Sequence, residues 1–495
     1  MNRVPTEDRK TCEADGLRRA EDDFLRRYPD YRTTVALDDL RRTDYGRLDR
    51  LGRTYLDYMG GGLYAESQLR SHHDILRGRV LGNPHSANPA SAASSELVTE
   101  ARRTVLRYFD AAADEYEVVF CANASGALKL VGEAYPFSPG SIYLLTYDNH
   151  NSVNGIREFA HRQGATVNYV PVRMPHLRVD EDLLRSGLGE AGSRGDHLFA
   201  YPAQSNFSGV QHPLGWVAEA QSLGWDVLLD CAGYVPTNRL DLGTVKPDYV
   251  VLSFYKMFGY PTGIGALIAR REKLAKLRRP WFAGGTITVA SVQHEGWHHL
   301  APGAAGFEDG TVDYLGMPAV TIGLGHVERI GIETIRTRTH SLTAWLLDEL
   351  QRLRHDEGGP VVRIFGPTDT DQRGATIALH LLDPRGRPYD VEEIEVAAGR
   401  EGICVRAGCF CNPGAGEVAH DITPEDMQRC FPDLRMVMSL RECQRAIEDA
   451  TGKVPNTVRV SLGLASTFAD VWRFLMFVAA YRNRPAAARD SQRQG

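Results

Sequence analysis

A chain of 495 residues exceeds the roughly 100–200 residues of a usual domain, which predicts two or three domains. Hydrophobic residues at 43% supply a large core, and a net charge of −6 gives no general attraction to nucleic acid or to an anionic membrane. Eight scattered cysteines, a polar start (MNRVPTEDRK) and no apolar run of about 18 residues argue against a disulfide scaffold, a secreted protein and a membrane-spanning helix. The expectation is a cytoplasmic protein with reduced thiols.

Residues 1–50 are rich in charge and read as an N-terminal helical arm, with Ala20 to Tyr28 its best-ordered part. From about 100 to 270, short apolar runs alternate with helical patterns. The runs are Val118–Cys121, Ile142–Thr146, Val167–Val170, Leu198–Tyr201, Val227–Leu229, Tyr249–Leu252 and Ile264–Ala269. Helices are expected over Gly126–Tyr135, Val153–Gln163 and Trp216–Leu223. This alternation predicts an α/β fold with a mainly parallel sheet in a large domain, 51–320. The remainder, 321–485, holds helical patterns at Gly331–Arg354, Val391–Arg400 and Phe468–Ala480, with strands at Gly374–Leu381 and Thr457–Leu462. It reads as a smaller α+β domain, and 486–495 as a disordered tail.

In a parallel sheet with helices on both faces, ligands bind outside the carboxyl ends of the strands. At those ends stand Asn-Ala-Ser-Gly (123–126), Asp148-Asn149-His150, Gln204-Ser205-Asn206, Asp230 and Ser253-Phe254-Tyr255-Lys256. Together they meet the needs of pyridoxal 5'-phosphate. Lys256 offers the amine for a Schiff base, and Asp230 a carboxylate to keep the pyridine nitrogen protonated. Ala124, Ser125 and Gly126 offer backbone N–H groups and a hydroxyl at a helix start for the phosphate, with Ser253 and Tyr255 adding hydroxyls. His150 can cover the ring face, and Asn206 can reach the ring hydroxyl. Taken singly each has an ordinary structural explanation: a strand-end helix cap for Asp230, a solvated lysine, a satisfied core histidine.

Arg-Ala-Gly-Cys-Phe-Cys-Asn-Pro-Gly (406–414) puts two cysteines in a loop bounded by glycine and proline. Cys409 and Cys411 can ligate a metal, form a disulfide, fill a turn, or present one reactive thiol. No second Cys/His pair at finger-like spacing completes a zinc site, and His72-His73 and His298-His299 are merely adjacent, so no metal is expected. A disulfide between Cys409 and Cys411 would be strained. Gly-Ile-Gly (263–265) lacks the third glycine of a dinucleotide fingerprint, and Gly60-Gly61-Gly62 reads as a tight backbone passage.

Eight segments carry a family likeness: YLDYMGGGLYAESQL (55–69), GNPHSANPASAASS (82–95), DNHNSVNGIRE (148–158), FAYPAQSNFSGVQHPL (199–214), LSFYKMFGYPTGIGAL (252–267), FAGGT (282–286), FEDGTVDYL (307–315) and RAGCFCNPG (406–414). In these the chain resembles the class V aminotransferases, within them the cysteine desulfurase group, and most of all the N-terminal desulfurase-like domain of molybdenum cofactor sulfurases. The resemblance implies a fold type I pyridoxal phosphate enzyme with a seven-stranded sheet, working as a homodimer on L-cysteine or a derivative. It implies that Lys256 bonds to the cofactor, Asp230 meets the pyridinium, His150 stacks on the ring, and Ser125, Ser253 and Tyr255 hold the phosphate. Thr311 would reach the phosphate of the other subunit, and Arg459 would bind the substrate carboxylate. Cys411 would be the nucleophile that takes sulfur as a persulfide and leaves alanine. A free thiol titrates at about 8.5, so a cation beside Cys411 would help, from Arg406 on the substrate side or from protonated His150. Cys409 would be a spectator or a second sulfur acceptor.

Tyr58-Met59, Cys231 and Gly416 depart from the family pattern, and the expectation is of a chain without the extra C-terminal domain of eukaryotic cofactor sulfurases, which leaves the sulfur acceptor unassigned. Two rival readings remain: another class V reaction (C–S lysis, transamination or epimerisation) in which Cys411 is incidental, and a non-catalytic sulfur carrier that kept the fold.

Overall fold

All seven apolar runs form strands, and all seven join one sheet. The computed structural model describes residues 6–192, 194–433 and 437–486. In chain order the strands are β1 (Tyr116–Cys121), β2 (Ile142–Thr146), β3 (Thr166–Val170), β4 (His197–Pro202), β5 (Trp225–Asp230), β6 (Tyr249–Ser253) and β7 (Gly265–Arg270). They lie side by side as β1-β7-β6-β5-β4-β2-β3. Pairings from β3 through β6 are parallel, and β7 runs antiparallel between β6 and β1. Helices cover both faces, so successive side chains of the inner strands bury on opposite sides and those strands read as mostly apolar runs, while the edge strand Thr166–Val170 is only partly buried. Phe199 and Tyr201 enter one core, while Leu198 and Ala200 of the same strand enter the other.

Two local results differ from expectation. The helix expected over Val153–Gln163 is two short helices, Asn151–Asn154 and Arg157–Arg162, with the break at Gly155, a poor helix former. A hairpin of Ile287–Ala290 and His298–Leu300 has no counterpart in the sequence reading.

A second, four-stranded antiparallel sheet contains β8 (Val362–Phe365), β9 (Thr376–Leu381), β10 (Arg406–Gly408) and β11 (Thr457–Ser461) in the order β8-β9-β11-β10. Helices Ile332–Arg352, Val391–Arg400 and Phe468–Ala479 pack on it around Trp345, Leu379, Val460 and Phe474. The N-terminal helix, Thr6–Arg27, joins this same core. Phe24 stacks on Phe468 with ring centroids 4.7 Å apart, and Tyr28 donates to Asp348 at 2.9 Å. Near the other terminus the Tyr389 hydroxyl donates to the Arg484 carbonyl, and residues 487–495 of the expected tail lie outside the described residues.

Candidate functional site

Strands β1, β2, β4, β5 and β6 run in one direction, so the residues that follow them meet at one sheet edge. Ser125, His150, Gln204, Asn206, Asp230, Ser253, Tyr255 and Lys256 line a single cavity of about 160 Å³ there. Asn123 caps the helix Ala124–Ala134 by accepting from Gly126 N at 3.0 Å, and Ala124 N donates to Ser253 Oγ at 2.9 Å. The Ser125 and Ser152 hydroxyls lie 2.6 Å apart. Asp230, 8% exposed, is fixed by Ala232 N, which donates to its Oδ1 at 2.9 Å.

Lys256 sits in the one-turn helix Phe254–Phe258, which Gly259 ends in a left-handed conformation at φ 77°. Gly62 N donates to Tyr255 O at 3.0 Å, and a Cβ on Gly62 would fall 2.9 Å from Lys256 O. The glycine run is therefore a tight passage beside the lysine. Burial pushes the Lys256 ammonium below its usual pKa; Asp230 opposes the shift, and Arg459 adds to it.

His150 caps the helix Asn151–Asn154, its Nδ1 accepting from Ser152 N at 3.1 Å. Burial lowers its pKa from 6.5; Asp230 works against this, and the nearby Lys256 and Arg459 charges reinforce it. The direction of this shift disfavours a protonated His150 as the charge beside Cys411. Arg406 pairs with Asp57 at 2.6 Å, the same acid that Arg459 meets. Lys256 and Arg459 both lie near enough to Cys411 to interact with it electrostatically.

The cysteine loop is held by amides. Asn206 Nδ2 donates to Phe410 O at 2.7 Å, and Asn151 N donates to Cys411 O at 2.7 Å. Asn412 Nδ2 donates to Asp148 O at 2.7 Å and to Asn206 Oδ1 at 2.8 Å. These bonds hold Phe410 and Cys411 in the left-handed region, at φ 58° and 54°, which a side chain disfavours. Cys411 is exposed, and both it and Cys409 are free thiols. Burial raises the Cys409 thiol above its ordinary pKa.

Arg459, on β11, is 3% exposed. Its Nη1 donates to Asn206 O at 3.0 Å, its Nη2 to Asp57 at 3.2 Å, and its Nε is buried without a partner. Thr311 stands apart from these groups. It is exposed, accepts from Asn83 at 3.2 Å, and lines a different cavity with Phe120 and Lys129. Two residues escaped the sequence reading. Asn412, just before a proline in a helix start, carries a cap signal that was available. Asp57 has only the weaker sign of an acid inside a largely apolar segment.

Residues 54–474 match the model of the Aminotransferase class-V family. The chain belongs to this family. A molybdenum cofactor sulfurase of Bos taurus is 35% identical over 466 residues, covering 90% of this chain and 52% of that protein. One from Solanum lycopersicum is 33% identical, covering 92% and 59%. The chain thus spans about half to three fifths of these curated relatives. Among solved structures, a cysteine desulfurase of Thermococcus onnurineus superposes with a TM-score of 0.70 at 21% identity, covering 90% of this chain and 97% of that one. A cysteine desulfurase of Escherichia coli gives 0.69 at 18%, covering 90% and 98%. The fold is fold type I of the pyridoxal phosphate enzymes, and the class-V chain is a pyridoxal phosphate-dependent enzyme. The donor set fits that cofactor: one amine, one buried carboxylate, one ring to stack and a cluster of hydroxyls at a helix start surround a single cavity. No helix among the described residues is long and apolar enough to cross a membrane.

Proposed function

We propose that this class-V enzyme is a cysteine desulfurase that moves the sulfur of L-cysteine onto Cys411 as a persulfide, releases alanine, and passes the sulfur to an acceptor, as its likeness to molybdenum cofactor sulfurases suggests. The observation that carries this reading is the tethering of the Cys411 loop to Asn206, a residue that also lines the Lys256 cavity. The loop that carries the thiol is thereby fixed to the wall of the cavity that holds the amine.

Pyridoxal phosphate, when bound, supplies an electron-poor ring that withdraws charge from the substrate's Cα. Lys256 would hold it covalently, Asp230 would keep its ring nitrogen protonated, and His150 would cover one face. Asn206 would meet the ring hydroxyl, and Ala124, Ser125, Ser253 and Tyr255 the phosphate. The lowered Lys256 pKa supports a second task, because an amine that releases its proton readily can take one from Cα and return it later. Arg459 would orient the substrate carboxylate, its unpartnered Nε being the donor in reserve.

The Cys411 thiolate then attacks the substrate sulfur. A new S–S bond forms as the S–Cβ bond breaks, and the carbon is protonated from Lys256. One cysteine and one thiol give one alanine and one persulfide, with no outside oxidant. The division into a large domain (51–320) and a small one (321–485), a cytoplasmic location, and a homodimer in which Thr311 serves the other subunit's phosphate belong to the same proposal.

The test is Cys411→Ser given L-cysteine and a dithiol. Loss of both sulfide and alanine formation is expected. Sulfide release at the native rate would move the chemistry to another reaction of the family.

A further inference from the structure

Arg41, Arg338, Arg373 and Arg459 are buried, and the side chain of Arg279, paired with Glu133 and Asp309, is also out of solvent. Three of the first four meet a carboxylate, Arg41 with Asp470, Arg338 with Asp38 and Arg459 with Asp57. Arg373, 5% exposed, makes no carboxylate ion pair among the described residues. Its Nη1 donates to Pro367 O and its Nη2 to Ser208 O and Thr376 O, while its Nε is buried with no partner. Carbonyl dipoles solvate the guanidinium but do not cancel its charge. A buried charge is ordinarily paired, because leaving it alone in a low-dielectric interior is costly. Burial lowers its pKa to about 9, so it remains a cation at neutral pH.

Arg373 forms part of the wall of a polar cavity of about 360 Å³ between the helix Ile332–Arg352 and the loop at 370–375. Arg336 and His340 line it too. Arg336 has only a loose, exposed pairing with Glu333 at 3.6 Å. The one acid in the wall, Asp371, is 81% exposed and faces Arg178 at 3.7 Å. Thr339 and Thr343 add no donors, since their hydroxyls already bond carbonyls of their own helix. The wall thus brings two guanidinium groups together beside the polar groups of Thr237, Thr370 and His340, with Asp371 its one acid and Asp369 the carboxylate whose charge reaches Arg373.

We infer that this cavity binds a phosphate ester, with Arg336 and Arg373 as its cationic donors. Two guanidinium groups match the double charge of a phosphate monoester better than the single charge of a carboxylate. The site is separate from the cofactor cavity but joined to it. Gln211, in its wall, donates through Nε2 to Asn238 Oδ1 at 3.1 Å and to Gln204 Oε1 at 3.0 Å, and Gln204 lines the Lys256 cavity. This inference does not depend on the desulfurase reading.

The test uses holoenzyme saturated with cofactor, so that the catalytic phosphate cradle is filled. Inorganic phosphate is titrated calorimetrically at constant ionic strength, with acetate as the carboxylate probe. Expected are saturable phosphate binding, affinity at least tenfold weaker for acetate, and at least a tenfold loss for phosphate in Arg336→Gln, an exposed position whose replacement leaves the core untouched. In Arg373→Met phosphate should no longer raise Tm; if that variant does not fold, the Arg336→Gln titration decides alone. Absent phosphate saturation, equal acetate affinity, or phosphate affinity unchanged in Arg336→Gln would each overturn the assignment.

Discussion

Arg406 and Arg459 stand directly opposite each other across β10 and β11, and the carboxylate of Asp57 bridges them. Two like charges facing across a strand pair repel, and the shared acid makes the arrangement tolerable. Asp57→Asn keeps the shape but removes the charge, leaving Arg459 buried without a counter-ion. The expected cost is about 3–5 kcal/mol of stability, the range for breaking a buried ion pair. The KM for cysteine should rise more than kcat falls, since Arg459 loses the group that orients it. Urea unfolding together with steady-state kinetics reads both, and a variant as stable as wild type would show that the bridge contributes nothing.

The amide of Asn412 is the central tie of the cysteine loop, joining the ends of β2 and β4 through Asp148 O and Asn206 Oδ1 while capping the helix Pro413–Ala419. Asn412→Ala leaves buried partners unsatisfied and removes a cap, for an expected loss of about 2–4 kcal/mol. Persulfide formation should fall sharply while cofactor binding at Lys256 persists. Mass spectrometry distinguishes the two: hydride-trapped cofactor adduct retained, Cys411 persulfide lost. Parallel loss of both would mean that the loop supports the whole cavity rather than the thiol alone.

His150 carries a pH signature. Its folded pKa is below the usual 6.5, so on acidification the unfolded chain takes up this proton first. Stability then falls as pH drops from 6.5 toward the lower folded value and is fully retained above 6.5. His150→Gln should flatten that slope in apoenzyme unfolding curves. In holoenzyme it should also weaken cofactor retention about three- to tenfold, the scale of one lost ring stack. An unaltered acid limb would place the titrating group elsewhere.

Six of the seven strands were legible because they are largely buried on both faces, which turns a strand into a mostly apolar run that needs no partner to be recognised; the edge strand Thr166–Val170 is only partly buried and is the weakest of the runs. Their carboxyl-end residues were legible for the same reason: once the strands are placed, parallel topology brings Ser125, His150, Asn206, Asp230 and Lys256 to one edge. What stayed hidden depends on contacts between distant parts of the chain. Asp57 meets Arg406 and Arg459 through the register of two strands in the second sheet, and nothing local to residues 55–62 announces that meeting. The lowered pKa of His150 likewise follows from burial and neighbouring charges, whereas the break at Gly155 had a local sign in the glycine itself. The Cys411 loop was open to sequence only as a choice among chemistries; the bonds of Asn206 and Asn412 that fix its position link distant parts of the chain.

Lys256 should lose its proton at lower pH than an ordinary lysine, because burial disfavours its ammonium form. For apoenzyme, the rate of covalent capture of pyridoxal phosphate should therefore reach half its maximum below pH 10.5. Lys256→Ala should bind cofactor without a hydride-stable bond and lose turnover by about 10²–10⁴-fold, the usual worth of a positioned acid–base group. Intact-mass measurement after hydride trapping is decisive. An adduct that survives in the variant would assign the bond to another amine.

Cys409 and Cys411 lie two residues apart and face different surroundings, which permits a direct comparison. Cys411 is exposed, with Lys256 and Arg459 as cationic neighbours. Cys409 is partly buried, and desolvation holds its thiol protonated to higher pH. Since the thiolate is the nucleophile, a small alkylating reagent at pH 7 should modify Cys411 well before Cys409. Pretreatment with L-cysteine should place the sulfane sulfur on Cys411 and leave Cys409 as a thiol. Cys409→Ser should then keep persulfide formation within about threefold of wild type, a change below 1 kcal/mol. Peptide mapping after alkylation tests the order, and preferential labelling of Cys409 would transfer the nucleophile's role to that residue.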